Sequence, residues 1–191
     1  LLLAFLLIYA ISTISTFDFW MMYDGNAYYT SIIDIKNWNF QNILTLNLCG
    51  HRCFLSSMWM LIGEYLIPNN ATGVRLMILL LVLFSIVAFY GILRHIYPDK
   101  SRLTTVLLTA VFAYNPLIWS GLAEVNIDIF VFCSFICAIY FTEKKKYILQ
   151  IFSLLFMCFS KETGLIIYAG YMFGWLIWLM FSNWKKSKST A

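Results

Sequence analysis

Asp24 begins the run Asp24-Gly25-Asn26-Ala27-Tyr28-Tyr29-Thr30-Ser31-Ile32-Ile33-Asp34-Ile35-Lys36, in which Tyr28, Ile32 and Ile35 recur at i, i+4 and i+7 as one apolar stripe. That spacing predicts an amphipathic helix lying along a membrane surface. A carboxylate at its start suits an N-cap and equally suits a general base at the water–lipid boundary, and one side chain can do both. Glu124 and Asp128 stand four residues apart. On one helix they would share a face and repel, so the pair points to a cation, a metal or a shared proton between them. The plainer alternative has Glu124 solvated, with Ser120 or Glu124 capping a helix, although Asp128 is hemmed in by Ile127, Ile129 and Phe130. Lys161, in Ser160-Lys161-Glu162-Thr163-Gly164, and Arg52, beside His51, are cations of the kind that bind phosphate. Lys161 could instead pair with Glu162 or snorkel to an interface. His51 has no partner histidine, which argues against a standard zinc site.

The elements that must position these groups follow from composition. The 191 residues are 62% hydrophobic and 12% charged, with a mean hydropathy of +0.80. Soluble domains carry about 25% charged residues, so a disordered tail is excluded and an all-α polytopic membrane protein is expected. A membrane span needs roughly 20 mostly apolar residues. Six apolar stretches approach that length, at 1–16, 74–93, 103–119, 127–141, 147–159 and 164–181. Residues 17–72 then form an external loop with juxtamembrane helices. Within it, 54–67 is apolar but short and contains Glu64, and reads as a re-entrant or interfacial helix.

Six crossings divide the charge unevenly. One side holds nine basic residues (Arg94, Lys100, Arg102, Lys144, Lys145, Lys146, Lys185, Lys186, Lys188) against Asp99 and Glu143. The other holds Lys36, Arg52, Arg75 and Lys161 against seven carboxylates. The positive-inside rule makes the first side cytoplasmic, so the net charge of +4 reports topology and not nucleic-acid binding. Cys133, Cys137 and Cys158 read as packing residues, a Cys49–Cys53 disulfide is open, and Asn70-Ala71-Thr72 is a glycosylation sequon. The chain starts at Leu1 with no basic region before its first apolar stretch, as a shortened first helix would.

In this order, these residues resemble the GT-C class of membrane glycosyltransferases, in particular the protein O-mannosyltransferase and lipid A aminoarabinose transferase branch. Asp24-Gly25-Asn26-Ala27-Tyr28 is similar to the acidic motif of that family's first external loop. His51-Arg52 before Phe54–Trp59 resembles the basic entry to a juxtamembrane helix, and Ile62–Ile67 followed by Gly73-Val74-Arg75-Leu76 resembles the approach to the second span. Asn115-Pro116 through Asp128 resembles the second external loop, and Ser160–Gly164 the later basic turn. Gly25 stands where the family commonly has a second acid, and the likeness covers only the N-terminal module of longer enzymes, so a piece of a longer chain is expected.

The resemblance implies transfer of a sugar from a polyprenyl-phosphate donor to an acceptor on the non-cytoplasmic side, with inversion. Asp24 would be the general base, Arg52 and Lys161 would bind phosphate, and Tyr28 would orient Asp24 or pack on the sugar. Glu124 and Asp128 would position the acceptor or bind a divalent metal, which some members use. The implied partners are membrane lipid, the lipid-linked donor and other membrane subunits, in a bacterial inner membrane or a eukaryotic endoplasmic reticulum. Two other classes compete: a non-catalytic subunit of the same fold, and a small transporter with an ion site at Glu124 and Asp128. The transporter is disfavoured by the lack of internal pseudo-symmetry.

Overall fold

Three asparagines and a serine set where the central helices begin. Asn70 Oδ1 accepts from the Thr72 amide at 2.9 Å, Ser101 Oγ from Thr104 at 3.1 Å, Asn115 Oδ1 from Leu117 at 2.9 Å and Asn126 Oδ1 from Asp128 at 2.9 Å. Each satisfies one of the amides a helix start leaves unpaired.

The computed structural model describes residues 1–17, 23–37, 47–48, 51–52 and 54–189; Tyr23, Asp24, the four strand residues, Leu179 and 182–189 are described by backbone alone. The elements are α1 (Leu2–Ile14), α2 (Tyr23–Lys36), β1 (Asn47–Leu48), β2 (His51–Arg52), α3 (Phe54–Leu66), α4 (Ala71–Ile96), α5 (Arg102–Ala113), α6 (Pro116–Ala123), α7 (Asp128–Glu143), α8 (Tyr147–Ser160) and α9 (Glu162–Ser189). β1 and β2 are a two-residue antiparallel pair with Asn47 opposite Arg52. Everything else regular is helical, as expected of an all-α chain. Cys49 and Cys53 lie outside the described residues.

By length and composition, fewer helices qualify as spans than the six expected crossings. Among the described residues, only α4, with 26 residues, is by itself long and apolar enough to cross a membrane. The stretch expected to run unbroken over 103–119 is split into α5 and α6, bent by 52° at Tyr114–Asn115. Pro116 has no amide to continue the ladder, and Asn115 takes the Leu117 amide onto its side chain, so α5 ends and a new helix starts. Taken together the pair makes a second candidate span; α1 and α8 are apolar but only 13 and 14 residues long.

α7 sits at the centre, packed on α4 on one side and α8 on the other, with α9 against α8. The main core joins Tyr9 of α1, Ile78, Val82 and Ile86 of α4, Ile118 and Leu122 of α6, and Phe130 and Cys133 of α7. α3 folds back antiparallel along the first half of α4: a Cβ on Gly63 would lie 2.3 Å from the Gly73 carbonyl oxygen, and Trp59 Nε1 donates to the Met77 carbonyl at 2.7 Å. Only glycines allow such an approach. The stripe Tyr28, Ile32 and Ile35 is buried as its spacing predicts, packed into this protein core.

The bundle therefore has two ends. One carries α2, α3 and the turns 67–70, 114–127 and 160–162; the other carries the turns 97–101 and 144–146. His95 meets Glu143 at 2.9 Å at the latter.

Candidate functional site

All of the site residues singled out in the sequence belong to segments at the first end, and the buried Arg75 organises them. It sits in the first turns of α4, 2% exposed. Its guanidinium donates to the Phe17 carbonyl just beyond α1, and through Nη2 to the Ala123 carbonyl at 2.9 Å, at the close of α6. One planar cation thus ties three chain segments together, a task its fixed fork of donors suits.

The close of α6 is itself unusual. Asn126 N donates to the Gly121 carbonyl at 2.8 Å, which wraps the helix end around a left-handed residue. That residue is Val125, at φ 56° and fully buried. Glycine is the usual occupant, and a β-branched side chain there costs on the order of 1–3 kcal/mol. The strained turn separates Glu124, at the C-cap of α6, from Asp128, at the start of α7. The two acids are consequently not on one helical face, which corrects the arrangement their spacing suggested. The backbone of Glu124 instead meets α2: a Cβ on Gly25 would lie 1.9 Å from the Glu124 carbonyl oxygen. Backbone meets backbone here, and an acid in place of Gly25 would force the two apart.

Asp24 precedes Gly25 in the first turn of α2, not at its N-cap, because the helix begins at Tyr23. Its backbone is therefore beside Glu124, while its side chain lies outside the description. Tyr28, one turn on, is 3% exposed in the core. Asp128 pairs with Lys161, Oδ1 to Nζ at 2.7 Å, the acid 57% exposed and the lysine 12%. Arg52, described by backbone only, ends β2 two residues before α3. Ser56 in the first turn of α3 donates to the Ser160 carbonyl at 3.0 Å, so Arg52 and Lys161 belong to adjoining segments.

Glu64 is a second buried charge with an assembled set of donors. Its side chain has no exposed surface. It accepts from Lys36 Nζ at 3.0 Å, Tyr29 Oη at 3.2 Å and the Asn69 amide at 2.7 Å. Asn69 is in the left-handed region at φ 58°, which asparagine tolerates. Burial, and then the Glu64 carboxylate, push the Tyr29 phenol up to about 12. Sequence reading grouped Glu64 and Arg75 with the candidate site residues without seeing either role. A lone charge inside an apolar stretch was the available signal.

Beside Asp128 a cleft of about 300 Å³ opens at the bend between α5 and α6, walled by Phe112, Asn115, Asn126, Asp128 and Phe132. Among the described residues, no three His, Cys, Asp or Glu side chains converge. The chain matches no family model, no curated protein and no solved structure.

Proposed function

We propose that this chain is a multi-pass membrane module that transfers a sugar from a polyprenyl-phosphate donor to an acceptor on the face formed by α2, α3 and the Glu124–Asp128 turn. The observation that carries the reading is the docking of the Asp24–Gly25 turn against Glu124, in the same end of the bundle as the Asp128–Lys161 pair. Membrane placement is supported by the large apolar side chains left on the outside of α1, α5, α8 and α9, among them Leu3, Val111, Ile148, Phe152 and Ile166. A soluble monomer rarely exposes so wide an apolar surface. Six crossings, by α1, α4, the bent α5–α6 pair, α7, α8 and α9, would put the basic turns 94–102 and 144–146 on the cytoplasmic side.

In this reading an acceptor hydroxyl or amide attacks the anomeric carbon, and the bond from that carbon to the phosphate oxygen breaks as the new one forms, inverting the centre. Asp24 takes the acceptor's proton. The lipid phosphate leaves with the bonding electron pair, its charge met by Arg52 and Lys161. Each step is assigned to a side chain of this chain. One observation favours a second reading, a non-catalytic subunit of the same fold: Lys161 is already neutralised by Asp128 and largely buried.

Asp24→Asn decides between them. It keeps the shape of the turn and removes the base, so transfer from a polyprenyl-phosphate sugar in membranes should fall by about 100-fold or more. Transfer at the unaltered rate would remove Asp24 from the mechanism.

A further inference from the structure

The bend between α5 and α6 interrupts the bundle where a continuous span would leave no opening, and the cleft beside it has the lower volume typical of ligand sites. Broken helices line binding sites in membrane proteins because their end groups can turn toward a ligand. Here those groups are unusually well defined. Asn115 and Asn126 each spend the side-chain oxygen on a helix start, at Leu117 and Asp128. Their NH2 groups, on the cleft wall, are left as donors with no partner among the described residues. Asp128 spends Oδ1 on Lys161 and keeps Oδ2 as an acceptor. Two amide donors beside a carboxylate acceptor match neighbouring hydroxyls. They do not match a phosphate, because no lysine or arginine is among the residues that line this cleft. The rest of the wall is apolar, with Phe112 and Phe132 stacked at 5.7 Å, and Leu117 80% exposed at its edge.

We propose that this cleft binds the neutral sugar head of an amphipathic lipid, its hydrocarbon chain running out past Leu117 and Phe132 into the bilayer. The sugar's hydroxyls accept from Asn115 and Asn126 and donate to Asp128, and Lys161 acts as a positioning residue that fixes Asp128. This deepens the preceding proposal by naming what approaches Asp128, and rests on its membrane placement but not on its chemistry.

The test is photolabelling of the full chain in phosphatidylcholine nanodiscs. Two probes share one diazirine-bearing alkyl chain, one with a glucoside head and the other with a phosphate head. The glucoside should label residues 112–132 about tenfold more than the phosphate, the discrimination expected from one or two well-made hydrogen bonds. Excess unlabelled alkyl glucoside should compete, and alkyl phosphate should not. Ser120→Trp, at an exposed position on the cleft wall, should abolish labelling there while leaving the unfolding temperature unchanged. Equal labelling by both probes, or labels spread over α1, α8 and α9, would overturn the proposal, as would Ser120→Trp labelling like the unaltered chain. If that variant does not fold, the head-group competition decides alone. Asp24→Asn should label normally, so loss of transfer and loss of this site are separately visible.

Discussion

At one end of the bundle His95 and Glu143 meet at 2.9 Å with about half of each side chain still exposed, and Arg94 donates to the Lys100 carbonyl. At the other end Glu64 and Arg75 carry their charges with almost no exposed surface, each bonded to groups from separate chain segments. Burying a charge costs several kcal/mol unless its bonds are nearly all made. The His95 end leaves its charges in contact with solvent, where they contribute little beyond solubility and orientation. The Arg75 end uses them to hold together segments 28 to 58 residues apart in sequence. It is also the end that carries Asp24, Asp128 and Lys161, so the charges that build the platform are distinct from those proposed to act on it.

This contrast breaks most sharply at Arg75. Arg75→Leu leaves the Phe17 and Ala123 carbonyls without their donor and should lower stability by about 3–5 kcal/mol, read by denaturant titration in detergent. A loss no greater than that of a surface variant would dissolve the distinction. Glu64→Ala should cost about 2–3 kcal/mol, less because Lys36 is partly exposed and can reach solvent. Replacing Lys36 and Glu64 together with leucine should recover part of the Glu64→Ala loss, since an apolar pair avoids the desolvation that a lone charge suffers.

Alkaline titration sharpens the same corner by a smaller amount. Tyr29 is pushed above its ordinary value of 10.0, so the folded state favours the neutral phenol. The stability tied to that group is full below pH 10 and declines as pH rises toward about 12. Tyr29→Phe should remove this slope, measured as the difference between the two stability-against-pH curves; identical curves would detach Tyr29 from Glu64. The smallest effect belongs to the other end. His95→Ala should change stability by under about 1 kcal/mol, with any change vanishing in high salt.

What the sequence showed and hid divides along the same line. Tyr28, Ile32 and Ile35 were legible as a buried stripe because helical periodicity is local, although periodicity names no partner, and the partner proved to be protein. The break at Asn115-Pro116 was written in two adjacent residues, yet hydropathy averaged over a long window runs through it. Glu124 and Asp128 looked like a helical pair because spacing cannot reveal a left-handed Val125 between them. Lys161 pairs with an acid 33 residues away, and Arg75 reaches back 58 residues to Phe17. Such links depend on tertiary placement, and no local pattern encodes them.

Gly63 and Gly73 have a mechanical consequence. Each backbone rests against the other, with the Trp59–Met77 bond one turn along, so α3 and α4 tilt as a single strut. The far tip of that strut leans on the end of α8 through Ser56 and Ser160. A displacement of α8 near Lys161 would therefore pass through these contacts toward Glu64, and from there to α2. The platform would move as a lever or stay still as a whole.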